Sequence, residues 1–290
     1  MSAAARCALS APAAVLALLL SAPAAPAAAH GDAGCRACHP LAGAQFAQTA
    51  MAHAAGSPDF IGELAAADNP AHCLDCHAPG GGTGLVCTDC HGDGGHPYPA
   101  VAVPRGCGRC HDAPGESTVR RYLAGPAPSR GEDCLDCHLP GERAGHDFRG
   151  PSRPGFLAGV ARLRMLVRRE PGGAVAVIQV RHRAGHALPG GTTGRAVWLR
   201  VAGLKGDGRV AWSEQVRFGW EHLPDGRWRE ATIPPGGGVM LEFPRPQRGD
   251  SVRLRAELVY RFRPGPLEAA DPRQVLLDRL ELALVEQHTE

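Results

Sequence analysis

Residues 73–91 read Cys73-Leu-Asp-Cys76-His77-Ala-Pro-Gly-Gly-Gly-Thr-Gly-Leu-Val-Cys87-Thr-Asp-Cys90-His91, one pentapeptide written twice around a glycine-rich spacer. Outward from it the same C-x-x-C-H pattern recurs as Cys35-Arg-Ala-Cys38-His39, Cys107-Gly-Arg-Cys110-His111 and Cys134-Leu-Asp-Cys137-His138. Five copies consume ten of the eleven cysteines; Cys7 precedes them, and nothing after Cys137 carries a thiol. Two thiols three residues apart can add across the two vinyl groups of one haem, and the next residue, His, then stands under the iron as its proximal ligand. Tetrathiolate zinc sites consume such pairs two at a time, would orphan one of five, and give no reason for the trailing His. Thioredoxin-like dithiols need a βαβ setting that surrounds none of these pairs. The pattern therefore predicts five covalently bound haems c on Cys35, Cys38, Cys73, Cys76, Cys87, Cys90, Cys107, Cys110, Cys134 and Cys137. It makes His39, His77, His91, His111 and His138 the proximal iron ligands.

The sixth ligand follows from a second count. Beyond Met1 the chain has Met51, Met165 and Met240, and only Met51 lies among the motifs. Histidine is more plentiful: His53, His72, His96 and His146 lie in the first half, and His182 and His186 open the second. Bis-histidine haems of low potential are the expectation. His53 follows a helix-compatible run. His96 and His146 follow flexible segments that could carry an imidazole to a neighbouring haem, and His72 abuts Cys73, which restricts the faces it can reach. Each competes with the reading of an ordinary surface imidazole. His30 reads as a frayed terminal residue, and His222 and His288 as surface groups.

The order of Cys35–His39, a helix with His53, Cys73–His77, the run Gly84–Gly92 with His96, Cys107–His111, and Cys134–Pro140 with His146 resembles the multihaem cytochromes c related to the tetrahaem electron carrier of nitrifying bacteria. The resemblance covers residues 35–149. It implies closely packed haems and an electron-carrier role, and some relatives are catalytic. A fifth motif departs from the tetrahaem pattern. Gly185-His186-x-x-Pro189-x-Gly191 is also similar to a segment that follows the haem region in related multihaem cytochromes. That similarity predicts that His186, or else His182, crosses to one iron as its distal ligand.

The remaining sequence sets the frame. Residues 1–29 read as a secretory signal: Arg6, an apolar run Val15–Leu20, and small residues to Ala29. The run is too short and too proline-bracketed to span a bilayer, so a periplasmic or otherwise exported, soluble mature chain is expected. The whole chain has 290 residues, 44% of them apolar, with 38 Gly and 26 Pro, which suits two loop-rich globular domains. His30–Gly150 carries 8 Arg against 14 acidic residues, whereas Pro151–Glu290 carries 22 basic against 15 acidic. The basic residues are dispersed, which speaks against a nucleic-acid footprint; the asymmetry reads either as two solvated surfaces with a mutually attractive seam or as a basic face that docks an acidic redox partner.

Residues 30–150 are predicted as a helix-poor domain packed around its haems, because about 20 residues per haem cannot build a polypeptide core. Residues 151–270 alternate apolar and polar residues between Gly-rich turns. Seven strands are expected: 160–169, 174–183, 196–201, 209–218, 227–232, 238–243 and 251–262. They make an antiparallel β-sandwich of immunoglobulin-like type. Residues 271–290 are expected as a helix with Val275, Leu276, Leu280 and Leu284 on one face. The fold class is thus α+β multidomain. The expected function is electron transfer between redox proteins. Two alternatives stand beside it: a reductase acting on a small nitrogen or sulfur compound at an open haem, and a subunit of a larger extracytoplasmic redox assembly. A lysine-ligated variant motif is excluded, since every motif ends in His and the only lysine is Lys205; Tyr98 and Tyr122 are the only tyrosines of the first half.

Overall fold

The computed structural model describes residues 33–284 apart from 66, 68, 93–95, 142–144, 172, 192, 193, 245, 247, 264 and 268–270. The expected signal segment, His30 and His288 lie outside the described residues. Among the described residues, eight short α-helices occupy the first half: α1 Ala33–Cys38, α2 Pro40–Phe46, α3 Pro58–Ala65, α4 Pro70–His77, α5 Cys87–His91, α6 Arg105–Gly108, α7 Thr118–Leu123 and α8 Cys134–His138. None exceeds eight residues. Proline opens α2 and α4, where its missing N–H costs nothing, and glycines in left-handed conformations follow closely on α4 and α5.

The second half is a β-sandwich. Its strands are β1 Ala161–Glu170, β2 Gly173–His182, β3 Ala196–Leu204, β4 Val210–Phe218, β5 Trp220–His222, β6 Trp228–Glu230, β7 Gly238–Pro244, β8 Arg253–Arg261 and β9 Gln274–Ala283. All pairings are antiparallel. One sheet has the order β1-β2-β7 and the other β4-β3-β8-β9, and β5 and β6 form a separate hairpin. This is the immunoglobulin-like arrangement, with the first, second and fifth core strands facing the rest. Alternate residues of both sheets, including Ile178, Val180, Val197, Leu199, Leu254 and Leu258, are completely buried and form one apolar core.

All seven expected strands are present, but the expected C-terminal helix is a strand. β9 pairs along β8, with Leu280 opposite Ala256 and Leu282 opposite Leu254. The register shifts near Leu258, where Leu276 pairs with Val259 and Asp278 with Leu258, so that Leu277 is the extra, bulged residue. The bulge changes the parity of the strand: Leu277 and then Leu280 face inward, and a three-residue step imitates a helical period. β8, buried along most of its length, would otherwise leave a ladder of backbone groups unpaired.

The β5–β6 hairpin lies against the helical half. Glu230 accepts from Arg121 Nε at 2.8 Å, from Arg121 Nη2, from Ser117 Oγ at 3.1 Å and from Thr232 Oγ1 at 2.8 Å. The Trp228 ring covers Gly115, where a Cβ would stand 2.7 Å from the indole. Elsewhere Arg273 of the sandwich pairs with Asp59 of α3 at 2.6 Å.

Candidate multihaem site

Every C-x-x-C-H copy sits on a helical turn. α1 carries Cys35 and Cys38 with His39 directly after it, α4, α5 and α8 end on His77, His91 and His138, and Cys107 lies in α6 with Cys110-His111 on the turn that follows. Residues three apart share a helical face. The backbone continues the turn into the histidine, His39 N donating to Cys35 O at 2.8 Å and His111 N to Cys107 O at 2.9 Å. In two motifs the central Asp also caps its own helix. Asp89 Oδ2 accepts from Val86 N at 2.7 Å, and Asp136 Oδ2 accepts from Asp133 N at 2.7 Å while Asp133 Oδ1 accepts from Leu135 N.

Three of the five motif histidines face a second imidazole. The ring centres of His39 and His96 are 6.0 Å apart, those of His91 and His146 6.0 Å, and those of His138 and His186 6.2 Å. With metal–imidazole bonds of about 2 Å and about 1 Å more to each ring centre, two imidazoles on one metal stand roughly 6 Å apart. His138 Nδ1 bonds Arg149 O at 2.6 Å and His186 Nδ1 bonds Ala187 O at 2.7 Å, which leaves both Nε2 atoms for the gap between the rings. His77 Nδ1 bonds Ala54 O at 3.1 Å in the same manner. Burial lowers the basicity of His138 and pushes His186 down to about 4, which favours the neutral ring that a metal requires.

The other sequence candidates are placed differently. His53 directs Nε2 to Ala47 O at 2.8 Å. His72 is exposed and 3.8 Å from Asp75. His182 directs Nε2 to Pro234 O at 2.9 Å and Ile233 O at 3.2 Å. His77 instead has Phe60 stacked on it at 4.0 Å, and His111 acts on His138 and His186 electrostatically.

The motifs converge. The thiols of Cys107 and Cys134 lie close enough to shift one another, Cys107 down to about 7 and Cys134 upward, and burial together with Cys110 pushes Cys76 up to about 11. Cys90 also feels Cys107. The fourth motif thus lies near the second, third and fifth. Beside His91 lies a cavity of about 520 Å³, walled by Cys90, Pro99 and Val101, with Arg105 and Arg109 at its border. An apolar wall with two guanidinium groups suits a flat macrocycle that bears carboxylates, and His91 Nδ1 is buried without a partner. The residues present fit haem.

Several contacts gave no signal in the sequence. Tyr98 lies between two of the facing pairs, 6.4 Å from His91 and 6.1 Å from His96. Phe60 covers His77, and Phe156 is 5.2 Å from His138. All three are tertiary contacts that no spacing rule encodes.

No family model and no curated protein matches the chain. Among solved structures, its fold is similar to that of a penta-haem cytochrome c552 from Thermochromatium tepidum, with a TM-score of 0.63 and 18% identity over 88% of this chain and 100% of that one. Neither half alone could supply 88% of 290 residues, so the likeness takes in helical part and sandwich together. At this identity the likeness is one of fold: the chain folds as a multihaem cytochrome does.

Proposed function

We propose that this chain is an exported pentahaem cytochrome c that relays electrons between redox proteins, with residues 1–29 removed on export. One observation carries the reading: three C-x-x-C-H histidines each face another imidazole at 6.0–6.2 Å. In this reading His39 with His96, His91 with His146, and His138 with His186 would each hold one haem iron between them. Bound haem c supplies reversible one-electron exchange at iron. The chain's own part is to hold the imidazoles in place through carbonyls of Arg149, Ala187 and Ala54, to exclude water with Phe60 and Phe156, and to offer Arg105 and Arg109 to carboxylates. An open catalytic face would have to lie at His77 or His111.

Two measurements test this. The mass of protein made with a full maturation system should exceed that of its polypeptide by five haem units, and a smaller increment rejects the count. Low-temperature electron paramagnetic resonance of the oxidised protein should show low-spin centres at no fewer than three haems. A high-spin centre would turn the reading toward the reductase.

A further inference from the structure

We propose that the outer face of the β1-β2-β7 sheet docks an acidic redox protein and so joins it to the metal position between His138 and His186. This rests on the electron-transfer reading above and adds the partner's chemistry and its landing place. In a strand alternate side chains share a face, and the register sets Arg162 beside Arg181, Arg164 beside Gln179 and Met240, and Leu166 beside Val177 and Glu242. Arg168, on the same face, is neutralised by Glu170 and Glu242. Among the described residues no carboxylate lies within ion-pair distance of Arg162, Arg164 or Arg181, and all three are exposed.

The opposite sheet shows that this is not the habit of the sandwich. There Glu257 sits between Arg200 and Arg279, and Glu281 pairs with Arg255 at 2.7 Å and Arg253 at 3.5 Å, so the cations are matched across the strands. Like charges directly opposite, as at Arg162 and Arg181, destabilise a sheet. Beside the unmatched cations, Leu166 and Met240 are 55% and 71% exposed. Unpaired arginine beside exposed methionine and leucine is the chemistry of a protein interface, with the charge selecting an acidic partner.

The position of the face gives it a use. β2 ends at His182, and four residues later His186 faces His138, a span of at most about 14 Å of chain. The helical half carries an acidic excess, 14 residues against 8 Arg, so this face supplies the positive potential that an acidic protein would follow to the site.

The test uses the full holoprotein and an acidic [2Fe–2S] ferredoxin as probe. Calorimetry at low salt reads binding, and stopped-flow reduction by reduced ferredoxin reads transfer. The variant Arg162→Glu/Arg164→Glu/Arg181→Glu should lose at least tenfold in both and lose the salt dependence of the parent, while dithionite still reduces every haem. Lys205→Glu/Arg209→Glu/Arg253→Glu, an equal charge change at the far end of the other sheet, should stay within twofold. The proposal is overturned if the parent does not bind ferredoxin, if the two variants lose equally, or if neither loses. It is also overturned if the first variant instead abolishes binding to phosphatidylserine vesicles or self-association with ferredoxin binding intact. Binding without any transfer in the parent would leave the docking face standing and reject the electron-transfer reading.

Discussion

His182 and His186 stand four residues apart at the end of one strand, and their rings have opposite fates. His182 commits Nε2 to the carbonyls of Pro234 and Ile233, so its ring serves the sandwich. His186 commits Nδ1 to the next residue's carbonyl and keeps Nε2 for the side facing His138. Substituting His186→Ala should therefore add one high-spin signal to the paramagnetic resonance spectrum, whereas His182→Ala should leave the spectrum as it was. The reverse pattern would move the ligand to His182, and two unchanged spectra would remove the sandwich from the iron altogether.

Among the elements, β9 shows how a local pattern can be misread. Val275, Leu276, Leu280 and Leu284 have a helical period, yet it is Leu277, off that face, that is buried at 7% exposure while Leu276 is 52% exposed. The bulge at Leu277 and the open edge of β8 account for both values. Leu277→Ala should cost about 2–3 kcal/mol in urea unfolding, from lost burial and the cavity left behind. Leu276→Ala should cost below about 1 kcal/mol. A helix would invert the two. The motif helices, which the helix-poor expectation passed over, obey a local rule: the Cys and His spacing fits one turn, and Asp89 and Asp136 close it.

At the scale of the molecule, specific polar contacts join the helical half and the sandwich. Asp59–Arg273 follows the overall asymmetry, and Arg121–Glu230 runs against it. Burial alone would raise the Glu230 carboxyl, but hydrogen bonds from Arg121, Thr232 and Ser117 outweigh it and hold the group below its ordinary value of 4.5. A depressed carboxylate contributes stability that is present above the unfolded value and is lost as pH falls through the lower folded one. Glu230→Gln should lower stability by about 1–2 kcal/mol at pH 7, Arg121 being partly exposed. Thermal unfolding should show the gap to the parent constant from about pH 6 to 8 and closing below about pH 4. A gap independent of pH would mean that Glu230 acts only through packing.

Covalent chemistry and short-range periodicity were legible in the residues alone. C-x-x-C-H pairs two thiols and an imidazole for one haem, and strict alternation between Gly-rich turns marks strands whose faces differ in solvent, so the five motifs and the seven strands were legible, whereas the short helices that carry the motifs were not foreseen. His96, His146 and His186 were legible only as candidates. Which imidazole meets which is a matter of how loops and the second strand bring together residues 48 to 57 positions apart, and no local rule carries that distance. The same holds for Phe60 on His77, for Tyr98 between two pairs, and for the unmatched arginines of one sheet beside the matched arginines of the other. Strand β9 belongs to this second class: its own sequence suits a helix, and the unsatisfied backbone of β8, supplied by the folded sandwich, made it a strand.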